Sequence, residues 1–163
     1  MNFRDLTAED IEVRVQSAKA NGVVLLLYKN ARVDMNILDE TVGAENWQRK
    51  HYECKGNLFC SVGIDVTDSN TWVWKDDCGT ESNTEAQKGE ASDSFKRACF
   101  NWGIGRELYT SPFIWIPADK CNIQNNKCYD KFEVEKIKIE NKKIVGLAIV
   151  NLTTKQRCFV WQP

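Results

Sequence analysis

The sequence lacks an excess of charge of either sign. Its 163 residues carry 22 Lys and Arg against 23 Asp and Glu, so the net charge is -1 and the pI is near 5.9. No global positive field therefore draws the chain to a polyanion, and any nucleic-acid site must be a local patch. The length and the 42% hydrophobic content predict one well-buried domain over 1–163.

Several catalytic signatures are also missing. The single histidine, His51, sits in a strand-like run that favours a structural role, so a histidine-based triad is not indicated. The phosphate-loop pattern GxxxxGK[ST] is absent, which argues against ATP use. Gly103 and Gly105 lack the third glycine of a dinucleotide fingerprint and end a helix instead of following a strand. We predict no catalytic residue, no cofactor and no enzyme activity.

Membrane and disulfide patterns are scarce as well. No apolar run approaches the roughly 20 residues of a membrane span, and the start of the chain lacks a signal region. The seven cysteines are odd in number and scattered, which favours a reducing cytoplasm. Their closest spacings are wider than the two to four residues usual in zinc pairs, so we predict no metal site.

The longest stretch with a helical period runs over 84–108. At about 100° per residue its apolar side chains share one arc, the stripe of a helix packed on a core. Thr84 with Gln87 forms a capping-box start, and Gly103 and Gly105 supply the helix end. The stripe consists of Ala91, Phe95, Ala98, Cys99 and Trp102.

Lys96 and Arg97 point away from this stripe. An ordinary amphipathic helix with a solvated basic pair would explain them, and so would a surface that binds an anion. The pattern alone leaves both interpretations open.

Before this stretch, the sequence predicts a helix over 6–20 that starts at Thr7, a buried strand over 23–28 and a short helix over 34–42 closed by Gly43. Three strands then follow in a meander, over 47–55, 58–66 and 71–75. The prolines of 112–117 suit an edge strand or an extended connection.

The tail repeats the strand pattern. A hairpin over 132–139 and 144–150 is predicted, with a bulge near Lys136 because the apolar residues change parity there. A last strand covers 157–161. The fold class is therefore α+β: a β-β-β-α core in which an antiparallel meander packs on a long central helix, with an N-terminal helix and a C-terminal β-hairpin extension.

Basic residues interleaved with aromatics give the positive evidence for function. In the runs 47–55 and 72–75, Lys and Arg side chains are interleaved with aromatic rings on candidate strands. This combination binds single-stranded nucleic acid, because the cations contact phosphates and the rings stack on bases. The tryptophans at 47 and 72 are also typical core residues. Tyr52 and Phe100 are candidates for stacking on bases.

A metal-dependent nuclease is the alternative. Asp130 precedes Glu140-Asn141-Lys142, which matches the acidic and E-x-K spacing of some endonucleases. The triplet also suits a polar hairpin turn, which explains it without catalysis. A purely structural or partner-binding domain is a third interpretation.

The segment 88–109, KGEASDSFKRACFNWGIGRELY, resembles the helix motif of the Rad-fifty-two family of single-strand annealing proteins in its bacterial and phage form. LTAEDIEVR (6–14), YKNARV (28–33) and GAENW (43–47) follow the order that the family uses. The resemblance covers roughly 5–110. It implies a core over about 5–118, a strand extension over about 129–163, rings or filaments, and annealing of complementary strands without ATP.

The resemblance also implies a DNA groove. Arg32 looks like the family's groove arginine, and Lys96 with Arg97 looks like its paired basic helix residues. A further basic position of many eukaryotic members is Phe100 here, and the tyrosine before the N-x-W segment is Ala44. We expect the remaining positive charge of the groove to come from Lys88, Arg49, Lys50 and Arg106.

The sequence thus predicts a protein of recombination and repair that binds single-stranded DNA. The expected partners are single-stranded DNA, further copies of the chain in a ring or filament, and a nuclease or a single-strand binding protein. The expected location is the cytoplasm of a bacterial cell or a phage-infected host, away from membranes.

Overall fold

The computed structural model describes residues 1–80 and 86–163, with only the backbone for 86–88. The regular structure of these residues consists of nine strands, two α-helices and four short 3-10 helices. The fold is a mixed α and β fold with antiparallel sheets, as predicted. In chain order the elements are β1 (Glu12–Lys19), β2 (Gly22–Tyr28), α1 (Ala31–Val42), β3 (Trp47–Cys54), β4 (Asn57–Asp65), β5 (Trp72–Cys78), α2 (Ala86–Asn101), β6 (Ile114–Pro117), β7 (Phe132–Glu140), β8 (Lys143–Asn151) and β9 (Gln156–Trp161).

The chain divides into two compact units. Unit 1 comprises Met1–Arg4 and Asn30–Gly105, and unit 2 comprises Asp5–Lys29 and Arg106–Pro163. That both belong to a single annealing domain stays a prediction. In the described part of the chain, neither helix has the length and apolar character needed to cross a bilayer.

In unit 1, strands β3, β4 and β5 form an antiparallel meander, and α2 packs on β4 and β5. Alternate residues of β4 point to opposite faces. One face of β4 is fully buried, and so are three members of the predicted stripe of α2. The buried residues are Cys60, Val62 and Ile64 on β4 and Phe95, Ala98 and Cys99 on α2.

The C-terminal end of α2 confirms the prediction that Gly103 ends the helix in left-handed geometry. The helix stops at Asn101, and Gly103 adopts a left-handed φ of 96°. The N–H of Gly103 donates to Phe100 and that of Ile104 to Cys99, which is the Schellman arrangement. Residues 106–110 form a separate 3-10 helix. The predicted capping box at Thr84 lies outside the described residues.

Helix α1 confirms the prediction over 34–42 and begins three residues earlier. Asn30 caps it through its side chain, which accepts the N–H of Arg32 at 2.9 Å. Gly43 ends it with a φ of 89°.

The predicted helix over 6–20 is wrong. The chain forms a 3-10 turn at Ala8–Asp10 and then strand β1, which pairs antiparallel with β2. A bulge between Val15 and Ser17 shifts the register. Because of that extra residue, Val15 and Ala18 are both partly buried although they are three apart, a spacing that imitates a helix. The strict alternation of residues 12–16 was the better signal.

Unit 2 contains two antiparallel sheets. In the first, β2 lies between β1 and the proline-flanked edge strand β6. In the second, β8 lies between β7 and β9, so the predicted hairpin extension is a three-stranded sheet. The register of β7 shifts between Val134 and Lys136, which confirms the predicted bulge.

We predict that Phe95→Ala lowers the free energy of unfolding by about 3–5 kcal/mol, because it deletes a fully buried ring beneath the meander. Urea unfolding followed by circular dichroism measures the decrease. Phe113→Ala is the matched control, since that ring is 74% exposed and its removal should change stability by less than about 0.5 kcal/mol. Equal effects of the two changes would contradict the assigned core.

Candidate nucleic-acid interface

Strand β3 is an edge strand that exposes side chains on both faces of its sheet. It pairs only with β4 among the described strands, and all its residues from Gln48 to Cys54 are exposed. Since successive side chains alternate, Arg49 and His51 lie on the face that α2 covers, and Lys50 lies on the other. The strand therefore presents its basic residues to two different surfaces.

The α2 side of β3 forms one wall of a cleft within unit 1. The cleft has a volume of about 470 Å³ and lies between the start of α1, β3 and α2. It brings together two residues of the predicted DNA site, Arg32 and Arg49. The described residues that line it are Asn30, Ala31, Arg32, Met35, Arg49, His51, Ala91 and Ser92.

Arg32 lines the cleft because it lies in the first turn of α1. The N-terminus of a helix carries partial positive charge, which favours an anion there. The Arg32 side chain is exposed, and no side chain in the described part of the chain pairs with it. Its charge adds to that of the helix end at the mouth of the cleft.

Arg49 is held in place by an aromatic contact. Its guanidinium carbon lies 4.8 Å from the centre of the Phe95 ring, a cation–π distance. Phe95 also stacks on Trp47, with ring centroids 5.9 Å apart. The buried ring thus positions a cation at the cleft wall.

His51 lines the cleft beside Arg49. Partial burial lowers the pKa of His51 from its ordinary value of 6.5, the nearby Arg49 cation lowers it further, and a hydrogen bond with the Phe59 backbone opposes both. The Ser94 hydroxyl lies 3.4 Å from Nδ1 of the ring. The ring is therefore mainly neutral at pH 7, and the arginines supply the positive charge. The strand-like run around His51 predicted a structural role for it, although its period-2 spacing from Arg49 indicates that the two side chains share a face.

Lys50 does not line the cleft. Its ammonium lies 4.5 Å from the centre of the Trp74 ring, on the opposite face of the meander. There the Trp74 ring lies directly over Gly63, where an added Cβ would sit 2.6 Å from it, and stacks with Trp72. Lys50 and Arg49 therefore serve different surfaces although they are adjacent in sequence.

The two stacking candidates also differ in placement. Tyr52 is 41% exposed and stacks on Phe59. Its hydroxyl donates to Asp76 at 2.5 Å, and this hydrogen bond raises the pKa of Tyr52 to about 12. Phe100 is partly buried on α2.

The basic pair of α2 is partly exposed and lies off the buried stripe. Arg97 donates through Nε to Asp93 at 3.0 Å, one helical turn earlier, and the two side chains are 40% and 29% exposed. Asp93 also accepts the backbone N–H of Thr80 at 2.9 Å. Arg97 is thus part of a surface ion pair, which is weak in water and can exchange partners.

Two further predicted residues are Lys88 and Arg106. Lys88 belongs to α2, but its side chain lies outside the described part of the structure. Arg106 is exposed at the start of the 3-10 helix of unit 2. Among the predicted residues whose side chains are described, Arg32 and Arg49 line the cleft.

The residues of the nuclease alternative have other partners. Asp130 accepts hydrogen bonds from Asn122 and Asn151. Glu140 pairs with Lys138 at 3.3 Å, and Lys142 pairs with Asp5 at 3.2 Å. Among the described residues, no group of three His, Cys, Asp or Glu side chains is placed to hold a metal ion.

The chain matches the model of a known protein family. The model of the Rad52/22 family, described as double-strand break repair protein, matches residues 3–127. This range includes every residue that lines the cleft. No curated protein and no solved structure matches the chain.

We predict that Arg49→Gln raises the pKa of His51, because it removes the cation that lowers it. Titration of the imidazole C–H resonances by NMR measures the shift in the folded protein. Lys50→Gln, on the opposite face, is the control and should move the pKa less. A larger effect of Lys50→Gln would contradict the assignment of faces.

Proposed function

Because the chain belongs to the Rad52/22 family of double-strand break repair proteins, we propose that it binds single-stranded DNA and anneals complementary strands without ATP. Membership of the family makes it a protein of DNA recombination and repair. Annealing is the step that this proposal adds, with single-stranded DNA as the ligand and a bacterial or phage-infected cytoplasm as the setting.

The cleft that contains Arg32 and Arg49 is the observation that carries the proposal. Two guanidinium groups and a helix N-terminus meet at one surface, although the whole chain has a net charge of -1. Phosphates are the natural anions for such a site, because guanidinium binds them through paired hydrogen bonds. A local positive patch can thus bind phosphates although the chain as a whole has no net positive charge.

The mechanism requires binding and no bond chemistry. The arginines neutralise the phosphates of one strand, and this lowers the repulsion that a second strand meets when it approaches. Phosphate contacts carry no sequence information, so any complementary pair can anneal. A protein of this kind needs no cofactor and is not an enzyme.

Lys96 and Arg97 extend this surface in the proposal. Both are partly exposed, and Arg97 can exchange its Asp93 partner for a phosphate. Lys88, Lys50 and Arg106 stay predicted DNA-binding residues.

Association of several copies lengthens the path. The proposed assembly is a ring or filament, in which many weak phosphate contacts act together. The exposed edge strand β3 supports it, since an unpaired edge offers backbone groups to another chain. A nuclease that produces single strands, or a single-strand binding protein, would be a further partner.

We predict that Arg32→Ala with Arg49→Ala weakens binding to an oligonucleotide and slows annealing. The slope of log affinity against log salt should become shallower by about 0.7 for each phosphate that the variant no longer neutralises. Fluorescence anisotropy over a salt series measures the slope. Lys131→Ala with Lys143→Ala is the control, because it removes the same charge from exposed positions of unit 2.

Unchanged affinity and slope in the arginine variant would remove the cleft from the DNA site. Gel analysis of the DNA after incubation with Mg²⁺ distinguishes the two activities, because annealing leaves the DNA strands at full length and a nuclease shortens them. Cleavage that disappears in Glu140→Gln would support the nuclease alternative, and the absence of any DNA binding at low salt would support a structural domain.

We further predict that Lys96→Ala with Arg97→Ala weakens DNA binding and leaves the fold nearly intact, because both side chains are partly exposed. Asp93→Asn is the matched control. It breaks the ion pair to Arg97 and leaves the cation in place, so its DNA affinity should equal or exceed that of the wild type. If Asp93→Asn weakened DNA binding as much as the double variant, Arg97 would affect binding through its ion pair with Asp93, which stabilises the local structure, and not through contact with DNA.

A further inference from the structure

The one histidine of the chain, His51, lies in the proposed DNA cleft. It is exposed on β3 and lines the cleft together with Arg32 and Arg49. The two arginines carry a permanent positive charge, whereas an imidazole gains or loses its charge near neutral pH. A histidine in this position can therefore make the affinity of the cleft for an anion depend on pH.

The described lining of the cleft contains no acidic side chain, although the chain has 23 Asp and Glu residues. An anion that enters the cleft is therefore not repelled by a carboxylate of this lining. The His51 imidazole and the Ser92 hydroxyl are hydrogen-bond donors of the lining in addition to the arginines. His51 is the one of these two that also gains a positive charge when it is protonated.

The neighbouring elements orient the imidazole ring. His51 pairs with Cys60 of β4, and its side chain shares the α2 face of the meander with Arg49. On α2, the Ser94 hydroxyl donates to the Ala91 carbonyl at 2.8 Å, and its oxygen lies 3.4 Å from Nδ1 of His51. Because the hydroxyl proton is used in this way, the oxygen is left to accept the Nδ1 proton of His51. This arrangement favours the tautomer in which Nε2 takes up the next proton.

We propose that His51 is a third phosphate-binding residue of the cleft and that it binds single-stranded DNA as the imidazolium, so that binding takes up one proton from solvent. This inference rests on the proposed function and adds a pH-dependent contact to it. DNA should then bind more tightly as the pH falls through the range in which the ring becomes charged.

The charge of the ligand is the physical cause of the proton uptake. In the protein alone, partial burial and the Arg49 cation lower the pKa of His51. A bound phosphate acts in the opposite direction, because it compensates the arginine charge and accepts a hydrogen bond from the imidazolium. The pKa of His51 is therefore higher in the complex. By linkage, the extra affinity is fully present below the pKa of the protein alone and is lost as the pH rises through the pKa of the complex.

Other titratable groups near the ring need to be distinguished from it. The Cys60 thiol is neutral, because burial raises its pKa to about 11. On α2, one turn before Ser94, the Glu90 carboxylate accepts the N–H of Leu58 at 2.8 Å. On β3, Glu53 is exposed and follows His51 on the same face. On α1, the charged group at the cleft is Arg32, which does not titrate in this range.

The first experiment measures the affinity of the whole chain for a fluorescent oligothymidine at constant salt, between about pH 5.5 and 8. Thymine and phosphodiester groups keep their charge over this range, so the protein accounts for any change. We expect the affinity to increase as the pH falls, by about tenfold for each unit by which binding raises the pKa of His51. The salt dependence of log affinity should also steepen by up to about 0.7 at the lower pH, because one more phosphate is neutralised.

NMR gives a direct measurement of the ring. Since the chain has one histidine, its imidazole C–H resonances titrate without overlap from another histidine. The titration is carried out on the protein alone and on the protein saturated with the same oligothymidine. We expect a higher pKa in the complex, and an equal or lower pKa in the complex would overturn the proposal.

Three variants at exposed positions assign the pH dependence to His51. His51→Gln should bind DNA at pH 8 and lose the gain in affinity at low pH. His51→Lys, which carries a fixed charge, should bind more tightly than the wild type at pH 8 and respond less to pH. Glu53→Gln is the matched control, because it removes a titratable carboxylate from the same face, and it should keep the pH dependence. An unchanged pH dependence in His51→Gln, or its loss in Glu53→Gln, would overturn the proposal.

The same measurements distinguish this inference from the proposed function. Binding of the oligothymidine with an affinity that does not change with pH would contradict the role of His51 and leave the proposed function intact. The absence of binding at every pH in the wild type would contradict both.

Discussion

The burial of α2 against β4 is the packing on which the rest of unit 1 depends. Phe95 is fully buried on the helix, and Val62 and Ile64 are fully buried on the strand. Because a helix that buries one side must expose the other, this contact fixes the direction in which Lys96 and Arg97 face. Hydrophobic burial, which has no chemical specificity of its own, thus decides where the charges lie.

The same buried ring links the core to the candidate site. Phe95 contacts the Arg49 guanidinium at 4.8 Å, and Arg49 lines the cleft together with Arg32. A side chain of the core therefore holds a cation at the surface, and among the described residues no carboxylate forms a salt bridge with it. An arginine held in this way keeps its charge available to a phosphate, whereas an arginine paired with a carboxylate must first give up that partner.

Local chemistry is what sequence patterns predicted well. The meander, α1 with its closing Gly43, and the bulge before Lys136 all follow from alternation, from glycine and from parity changes between neighbours in the chain. The helix predicted over 6–20 failed because a bulge in β1 produced a helical spacing of apolar residues. A strand is stabilised by a partner, here β2, that no window of the sequence contains.

The sequence by itself determined the family, the stripe of α2 and the identity of the basic residues. Only the tertiary structure decided that Arg32 and Arg49 share a cleft, that Lys50 serves the other face of the meander and that His51 belongs beside Arg49. The physical reason is the distance along the sequence over which each kind of information acts. Periodicity indicates on which side of a helix or strand a residue lies. A site, in contrast, is formed by elements that are distant in sequence and whose relative positions are set by packing.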